Sequence, residues 1–237
     1  MIVDFHSHIL PNIDDGSKNS EMSKEMLEMI SHQNVDIQIL TPHFYANRYH
    51  LNKYLDQRKR MYETLLEDVK TYDFNVPELY LGAEVAFFEG MSHASGLDDL
   101  TINHSKVLLV EMPFYKWTQS VIDEIVELID KRHFIVIIAH IERYFSLGYT
   151  TKKYIKQLLE LPVYIQINAE SIEDKNVAKL LKKGQVHVLG SDAHNLTTRK
   201  PNLEKGRLLI EKKFGKDVLA QIDSHSNELI MRIRNEI

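Results

Sequence analysis

A chain of 237 residues that is 43% hydrophobic and 27% charged has the composition of a folded protein with one large or two small domains, and disorder is excluded as its main state. A formal charge of −5 gives no footing to a binder of phosphate backbones, and the absence of cysteine excludes disulfides, thiolate metal ligands and thiol-based phosphatases or proteases. Glycine numbers only 9, with neither GxGxxG nor GxxxxGK[ST] present, while histidine is in excess at 12.

Short β-rich apolar runs alternate along the chain with helical patterns. The first run, 2–5, precedes a helix marked by Met22, Met26, Met29 and Ile30, with Ser20 as its expected cap. The second, 35–41, precedes a longer helix carrying Leu51, Leu55, Tyr62, Leu66 and Val69. After the third, 79–83, the segment 85–105 reads as an irregular loop beside a site. The fourth, 107–110, leads to Ile122, Ile125, Val126 and Ile129 behind Ser120. The fifth, 134–139, leads to Tyr154, Ile155, Leu158 and Leu159, stopped before Pro162. The sixth, 163–167, is followed by Ser171 and Asp174 in the spacing of a capping box, with Gly184 as the stop. The seventh, 186–189, precedes a tail, 201–237, expected as two helices broken near Gly215.

Near-continuous apolar strands suit a parallel sheet covered by helices. With no linker between the repeats, the expectation is one α/β domain over 1–237, closed as a distorted barrel of about seven strand–helix units. An open doubly wound sheet is the alternative. No apolar run approaches the ~20 residues that cross a bilayer, and no basic-then-apolar leader opens the chain, so a cytoplasmic protein without membrane insertion is expected.

Polar residues fall where the apolar runs end: His6 and His8 after the first, His43 after the second, Glu84 after the third, Glu111 after the fourth, His140 after the fifth, and Asp192 and His194 after the seventh. Only the sixth ends on a neutral amide, Asn168. In a parallel barrel all strand C-termini open on one face, which gathers these imidazoles and carboxylates on one rim. Crowded there they repel or stay undersolvated unless cations neutralise them. Imidazole mixed with carboxylate suits Mn, Fe or Zn better than Mg or Ca. Together with Asp15 the candidates number nine, too many for one ion.

His6-Ser7-His8, Asp14-Asp15-Gly16, Thr41-Pro42-His43, Gly82-Ala83-Glu84, Glu111, His140 with Arg143, and Ser191-Asp192-Ala193-His194 resemble the PHP (polymerase and histidinol phosphatase) superfamily. Within it, His6 to Pro11 followed by Asp14 to Ser17 is similar to the bacterial manganese-dependent tyrosine phosphatases of capsule and exopolysaccharide operons. The resemblance implies a distorted barrel with a trinuclear manganese centre, in which Fe, Zn or Mg can substitute. His6, His8, Glu84 and Asp192 would hold one ion, Glu84, Glu111 and His140 a second, and Asp15, His43 and His194 the third. Asp14 competes with Asp15 for its place. Arg143 and Arg199 match the phosphate-binding arginines. The implied substrate is a phosphotyrosine protein, the Tyr-rich tail of a membrane-associated bacterial tyrosine kinase, and the implied role is regulation of polysaccharide synthesis.

Such a centre would carry net positive charge in an acidic protein and receive a phosphate dianion. The expected chemistry is hydrolysis by a metal-bound hydroxide, with Arg143 and Arg199 on the phosphoryl oxygens and His43 or His194 assisting through water. A salt bridge to Glu142 is the alternative for Arg143. Phe44, Tyr45, Tyr49, Phe87, Phe88, Phe114, Tyr115 and Trp117 fall beside the mouth, as loop packing or as a lining for a phenyl ring. The basic run 57–60 reads as a solvated helix face, and His32, His133, His187 and His225 as structural or exposed. Histidinol-phosphate hydrolysis is the alternative activity. A nuclease is disfavoured by the charge, so no nucleic-acid partner is expected, and a non-catalytic metal-stabilised module would bind ions without hydrolysing an aryl phosphate.

Overall fold

The computed structural model describes residues 1–235, so the last two residues of the expected domain lie outside the described residues. In chain order the elements are β1 (Val3–Asp4), α1 (Ser20–Ser31), β2 (Ile37–Leu40), β3 (His43–Phe44), α2 (Leu51–Asp68), β4 (Glu78–Leu81), β5 (Glu84–Ala86), β6 (Val107–Glu111), α3 (Gln119–Asp130), β7 (Ile135–Ile138), α4 (Tyr149–Leu158), β8 (Tyr164–Asn168), α5 (Lys175–Lys182), β9 (Val188–Gly190), α6 (Leu203–Phe214) and α7 (Lys216–Asn235). The fold is mixed α/β. A three-stranded sheet runs β1-β2-β4, and a six-stranded sheet, β3-β5-β6-β7-β8-β9, curls into a half-barrel, every pairing being parallel.

Each of the seven apolar runs contains a strand, but nine strands occur among the described residues. Two runs are interrupted just before their polar ends. Pro42 has no N–H to give to a ladder, so β2 stops at Leu40 and the chain resumes pairing at β3. Its neighbour breaks at Gly82-Ala83, and β3 and β5 pair with His43 opposite Glu84. Arg58 secures this break: it is buried, and donates to Gly82 O at 2.9 Å and to Asp99 O at 2.5 Å. The basic run 57–60 is therefore not a uniformly solvated face. The edges β1 and β9 are joined through Phe5 N to Leu189 O (3.0 Å), Asp192 N to His6 O (2.8 Å) and His8 N to Ala193 O (2.9 Å).

Two helix starts differ from expectation. Asn19, not Ser20, caps α1, accepting from Met22 N at 2.9 Å. Asp174 caps α5 through Asn176 N and Val177 N, while Ser171 turns away to Glu142, so those two residues are not a capping box. In both cases the residue whose backbone is extended captures the orphan N–H groups. The segment 85–105 is less irregular than expected, holding the end of β5 and three short 3-10 turns, Met91–His93, Leu97–Leu100 and Ile102–His104. Gly184 (φ 65°) and Gly215 (φ 96°) end α5 and α6 as expected.

Period-two alternation divides each strand between two cores. Leu108, Val110, Val136 and Ile138 face the helices, whereas Val107, Leu109, Ile137 and Val188 join Val3, Ile37, Ile39 and Tyr80 inside. Leu229, Ile230 and Ile233 of α7 enter this inner cluster. Each contributes about 1.5–3 kcal/mol by burial and together they fill one end of the interior. The opposite end, at the strand C-termini, is left for polar groups.

Candidate metal centre

The inward rows continue past their apolar residues. Ile37, Ile39, Thr41 and His43 form one row, Tyr80, Gly82 and Glu84 a second, Val107, Leu109 and Glu111 a third, Val188, Gly190 and Asp192 a fourth. One parity therefore builds the core at one end and the site at the other. His140 departs from its row: its backbone is left-handed (φ 30°, ψ 59°), as is that of Asp192 (φ 52°). Such conformations cost about 1–3 kcal/mol each for a residue with a side chain and persist only where surrounding contacts enforce them.

All nine expected residues converge. Their donor atoms fall into four overlapping groups: His6 with His8 and Asp192, His6 with Glu84 and His140, His43 with Glu84 and Glu111, and His8 with Asp15, His43 and His194. His6 Nε2 lies 3.1 Å from His8 Nε2, 3.2 Å from Glu84 Oε2 and 3.6 Å from Asp192 Oδ1. His8 Nε2 lies 3.3 and 3.4 Å from the same two oxygens. Donors about 2.1 Å from a common centre stand about 3.0–3.4 Å apart, so this spacing is that of one coordination sphere. Glu84 is shared: Oε1 meets His140 Nε2 at 2.7 Å and Oε2 meets His43 Nδ1 at 2.8 Å. Asp15 Oδ1 stands 3.6 Å from both His43 Nε2 and His194 Nε2.

The outer contacts decide where the imidazole protons are. His8 Nδ1 faces the Asp14 carboxylate at 2.6 Å, and a carboxylate only accepts, so His8 Nδ1–H is the donor. Asp14 also accepts from His43 N (2.8 Å) and Gly16 N (2.9 Å). Any Cβ at position 16 would fall 2.1 Å from His8 O, so only glycine closes this turn. The geometry separates the acidic pair: Asp14 braces His8 and Asp15 turns into the cluster. His6 Nδ1 donates to Gln166 Oε1 (3.2 Å) and His194 Nδ1 to Asp192 O (2.8 Å). Three rings thus present bare Nε2 lone pairs to one another and to carboxylates. Glu84 Oε2 and His43 Nδ1, although 2.8 Å apart, do not meet in hydrogen-bond geometry, and with His194 Nε2 they are buried without a hydrogen-bond partner among the described residues. Buried lone pairs that face only other lone pairs call for a cation. The donor set, five imidazoles and four carboxylates, fits a divalent transition metal.

Without cations, protons supply the missing positive charge. Burial opposes charge on His8, but the Asp14 carboxylate outweighs it and lifts its pKa well above the ordinary imidazole value. Burial also opposes charge on His140, yet Glu111 and Glu84 carry it up to about 9. Burial would raise Glu84 and Asp192, but the neighbouring imidazoles hold both well below the carboxylate range. His194 is pushed down to about 3 by burial and by the charge on His8. A cation held in this cluster would therefore compete with protons for the same nitrogens.

Arg143 and Arg199 stand at the opening, each about one-third exposed, and both reach Asp192 Oδ2, Arg199 at 2.7 Å. Arg143 does not pair with Glu142, whose Oε1 accepts from Asn168 N and Ser171 Oγ. The aromatic residues divide. Trp117 is fully buried, with Nε1 donating to Pro113 O at 2.8 Å, and Phe44 packs on Tyr54, so both are core. Phe114 and Tyr115 are exposed, and the Phe114 ring stacks 6.1 Å from His140. Tyr45 lies 5.1 Å from His43. Sequence reasoning missed Gln166, whose signal was a polar residue inside an apolar run, and Tyr144, whose hydroxyl lies 3.2 Å from His140 Nδ1.

Residues 2–232 match the family model described as "Capsular polysaccharide synthesis, CpsB/CapC". The tyrosine-protein phosphatase CpsB of Streptococcus pneumoniae is 28% identical over 240 residues, covering 90% of this chain and 91% of that protein. The tyrosine-protein phosphatase YwqE of Bacillus subtilis is 26% identical over 244 residues, covering 98% and 92%. Among solved structures, one from a study of YwqE and CpsB as metal-dependent tyrosine phosphatases has the same fold, with a TM-score of 0.78 at 23% identity over 100% of this chain and 96% of that one. The chain belongs to the CpsB/CapC family of capsular polysaccharide synthesis.

Proposed function

We propose that this protein is a metal-dependent protein-tyrosine phosphatase of capsular or exopolysaccharide synthesis, one domain over 1–237 acting in the cytoplasm on the Tyr-rich tail of a membrane-associated tyrosine kinase. The observation that carries the reading is the set of buried donor atoms of Glu84, His43 and His194 that make no hydrogen bond among the described residues and crowd with the bare Nε2 atoms of His6 and His8. Homology to named tyrosine-protein phosphatases over most of the chain supplies the reaction class. The hydrogen bonds between the β1 and β9 ends support a single distorted barrel of seven strand lines, β2 with β3 and β4 with β5 each counting once. No helix among the described residues is long and apolar enough to cross a membrane.

His6, His8, Glu84 and Asp192 are assigned to one ion, Glu84, Glu111 and His140 to a second, and Asp15, His43 and His194 to a third, with manganese the favoured metal. Divalent ions, when bound there, would supply Lewis acidity, lowering the pKa of a water and offsetting charge on the phosphoryl oxygens. The protein's own groups do the rest. Arg143 and Arg199, released from Asp192, clamp the phosphoryl group with charge-assisted hydrogen bonds. Phe114, beside His140, offers its face to the substrate ring. His43 and His194 order water beside the leaving oxygen. Phenolate, with a pKa of about 10, departs without a strong acid.

The test is parallel kinetics on a phosphotyrosine peptide and on histidinol phosphate, with chelator-stripped and Mn²⁺-restored protein. Peptide hydrolysis lost on stripping, restored by Mn²⁺ and indifferent to thiol alkylation is expected. Preference for histidinol phosphate would replace the substrate assignment, and activity unaffected by stripping would end the metal reading.

A further inference from the structure

Strand β8 is the one long strand that brings neither imidazole nor carboxylate to the rim. Alternation nevertheless points Gln166 and Asn168 into the interior, where both are buried. Two amides in such a place must be fully paired, and their pairing can be read without ambiguity. The backbone N–H of His140 can only donate, and it points at Gln166 Oε1 from 2.6 Å, which fixes that atom as the carbonyl. His6 Nδ1, 3.2 Å from the same oxygen, is then a donor. The other end of the amide, Gln166 Nε2, donates to Asn168 Oδ1 at 2.9 Å, which leaves Asn168 Nδ2 to donate to Asp192 Oδ2 at 2.8 Å.

This chain of contacts touches three of the proposed ligands, two of which, His140 and Asp192, have left-handed backbones. A second feature points the same way. Gly190 precedes Asp192 by two residues, and a Cβ there would fall 2.8 Å from Gln166 Nε2 and 2.6 Å from His6 Cβ. The strand beside the relay is thus bare where the relay must pass.

We propose that Gln166 and Asn168 form an amide relay of positioning residues. It fixes the His6 proton on Nδ1, leaving Nε2 for a cation, and holds His140 and Asp192 in their strained conformations facing the same space. The proposal rests on the reading of the cluster as a cation centre. Outer partners of metal-binding imidazoles typically change affinity by about 10–100-fold when removed.

The experiment is Mn²⁺ titration calorimetry on the chelator-stripped chain, with thermal melts of the stripped and Mn²⁺-loaded forms. Gln166→Met keeps volume and removes the shared acceptor. Gln38→Met is the control, since Gln38 is also a buried amide, bonded to Ser7 Oγ at 2.8 Å and to none of the proposed ligands. The expected result is Mn²⁺ affinity at least 10-fold weaker for Gln166→Met, and within about twofold of wild type for Gln38→Met, with comparable melting losses in the stripped forms. Asn168→Ala leaves the His6 and His140 contacts in place and is expected to lose at least threefold, which answers the question if Gln166→Met does not fold. Equal affinity in the Gln166 or Asn168 variant and wild type overturns the relay while the cation centre stands. A wild-type chain that takes up no Mn²⁺ overturns both.

Discussion

Arg143 and Arg199 give the sharpest separation between holding metal and turning over substrate. Both guanidinium groups reach the same oxygen of Asp192, and both are about one-third exposed, so each is tethered to the site without being buried in it. Asp192 is buried, but each guanidinium is partly in water and Asp192 keeps the other arginine and Asn168 Nδ2 as partners when one is removed, so Arg143→Ala or Arg199→Ala should fold. On a phosphoryl oxygen the same group makes a charge-assisted hydrogen bond worth about 1.5–3 kcal/mol. At about 1.36 kcal/mol per tenfold, kcat/KM on a phosphotyrosine peptide should fall about 10–150-fold for each variant. The double variant should fall about 10²–10⁴-fold if the two act separately, and less if one takes over from the other. Removing a positive neighbour from Asp192 should leave Mn²⁺ affinity unchanged or tighter. Steady-state kinetics at saturating Mn²⁺, beside elemental analysis of the purified variants, measures both sides. A variant that hydrolyses substrate within twofold of wild type, or one that loses its metal together with its activity, would refute the phosphate role.

Phe114→Ala removes an exposed ring over His140, and an aromatic contact of about 0.5–1.5 kcal/mol predicts a loss of roughly 2–10-fold in kcat/KM on phosphotyrosine with little change on an alkyl phosphate. Equal losses on both substrates would remove the ring from substrate recognition. His187 is held down to about 4 by burial and by the charge on His225, against about 6.5 when unfolded. Between those values the unfolded chain binds a proton that the folded one does not, so stability is full above about pH 6.5 and declines as pH falls towards 4. Discounted for solvent screening of a half-buried ring, the loss is about 1–2 kcal/mol. Urea titrations at pH 7 and pH 5 should show it, and the difference should shrink in His187→Asn; an undiminished difference would assign it elsewhere. Mn²⁺ at about 100 times its dissociation constant should stabilise the stripped chain by about 2.7 kcal/mol per site. At about 2–4 °C per kcal/mol that is a melting rise of roughly 5–10 °C, and an unmoved melting point alongside restored activity would contradict binding at these residues.

Much of the fold was legible because one rule was obeyed at length. The apolar runs are buried on both faces, so they announce themselves as continuous β-branched stretches, and each carries a strand. The polar residues at their ends converge because parallel strands share a C-terminal rim. What could not be read was local. The break at Pro42 and the matching one at Gly82 depend on a pairing partner distant in sequence, and the caps at Asn19 and Asp174 on which backbone stays extended. Arg58 looks like its charged neighbours in the sequence, and only the tertiary contact with Gly82 O and Asp99 O shows it as a clamp. Gln166 was hidden for another reason: within an apolar run a lone amide looks like noise until the opposite strand shows what it bonds.

The placement of polar groups also explains how a buried cluster of imidazoles and carboxylates is compatible with a stable chain. The same inward rows that end in Glu84, Glu111 and Asp192 begin in Tyr80, Val107 and Val188, and α7 covers those with Leu229, Ile230 and Ile233. Burial at the closed end continuously offsets strain and repulsion at the open end, because both act on the same strands. The rim residues need no flexibility of their own. Asp14 and Gln166 bond the rings from behind, Gly16 and Gly190 leave room for them, and the guanidinium groups of Arg143 and Arg199 lie on the Asp192 carboxylate at the opening. On the proposed reading, such a site would recognise a dianion by exchanging one anionic partner of Arg143 and Arg199 for another, with little reorganisation of the residues beneath them.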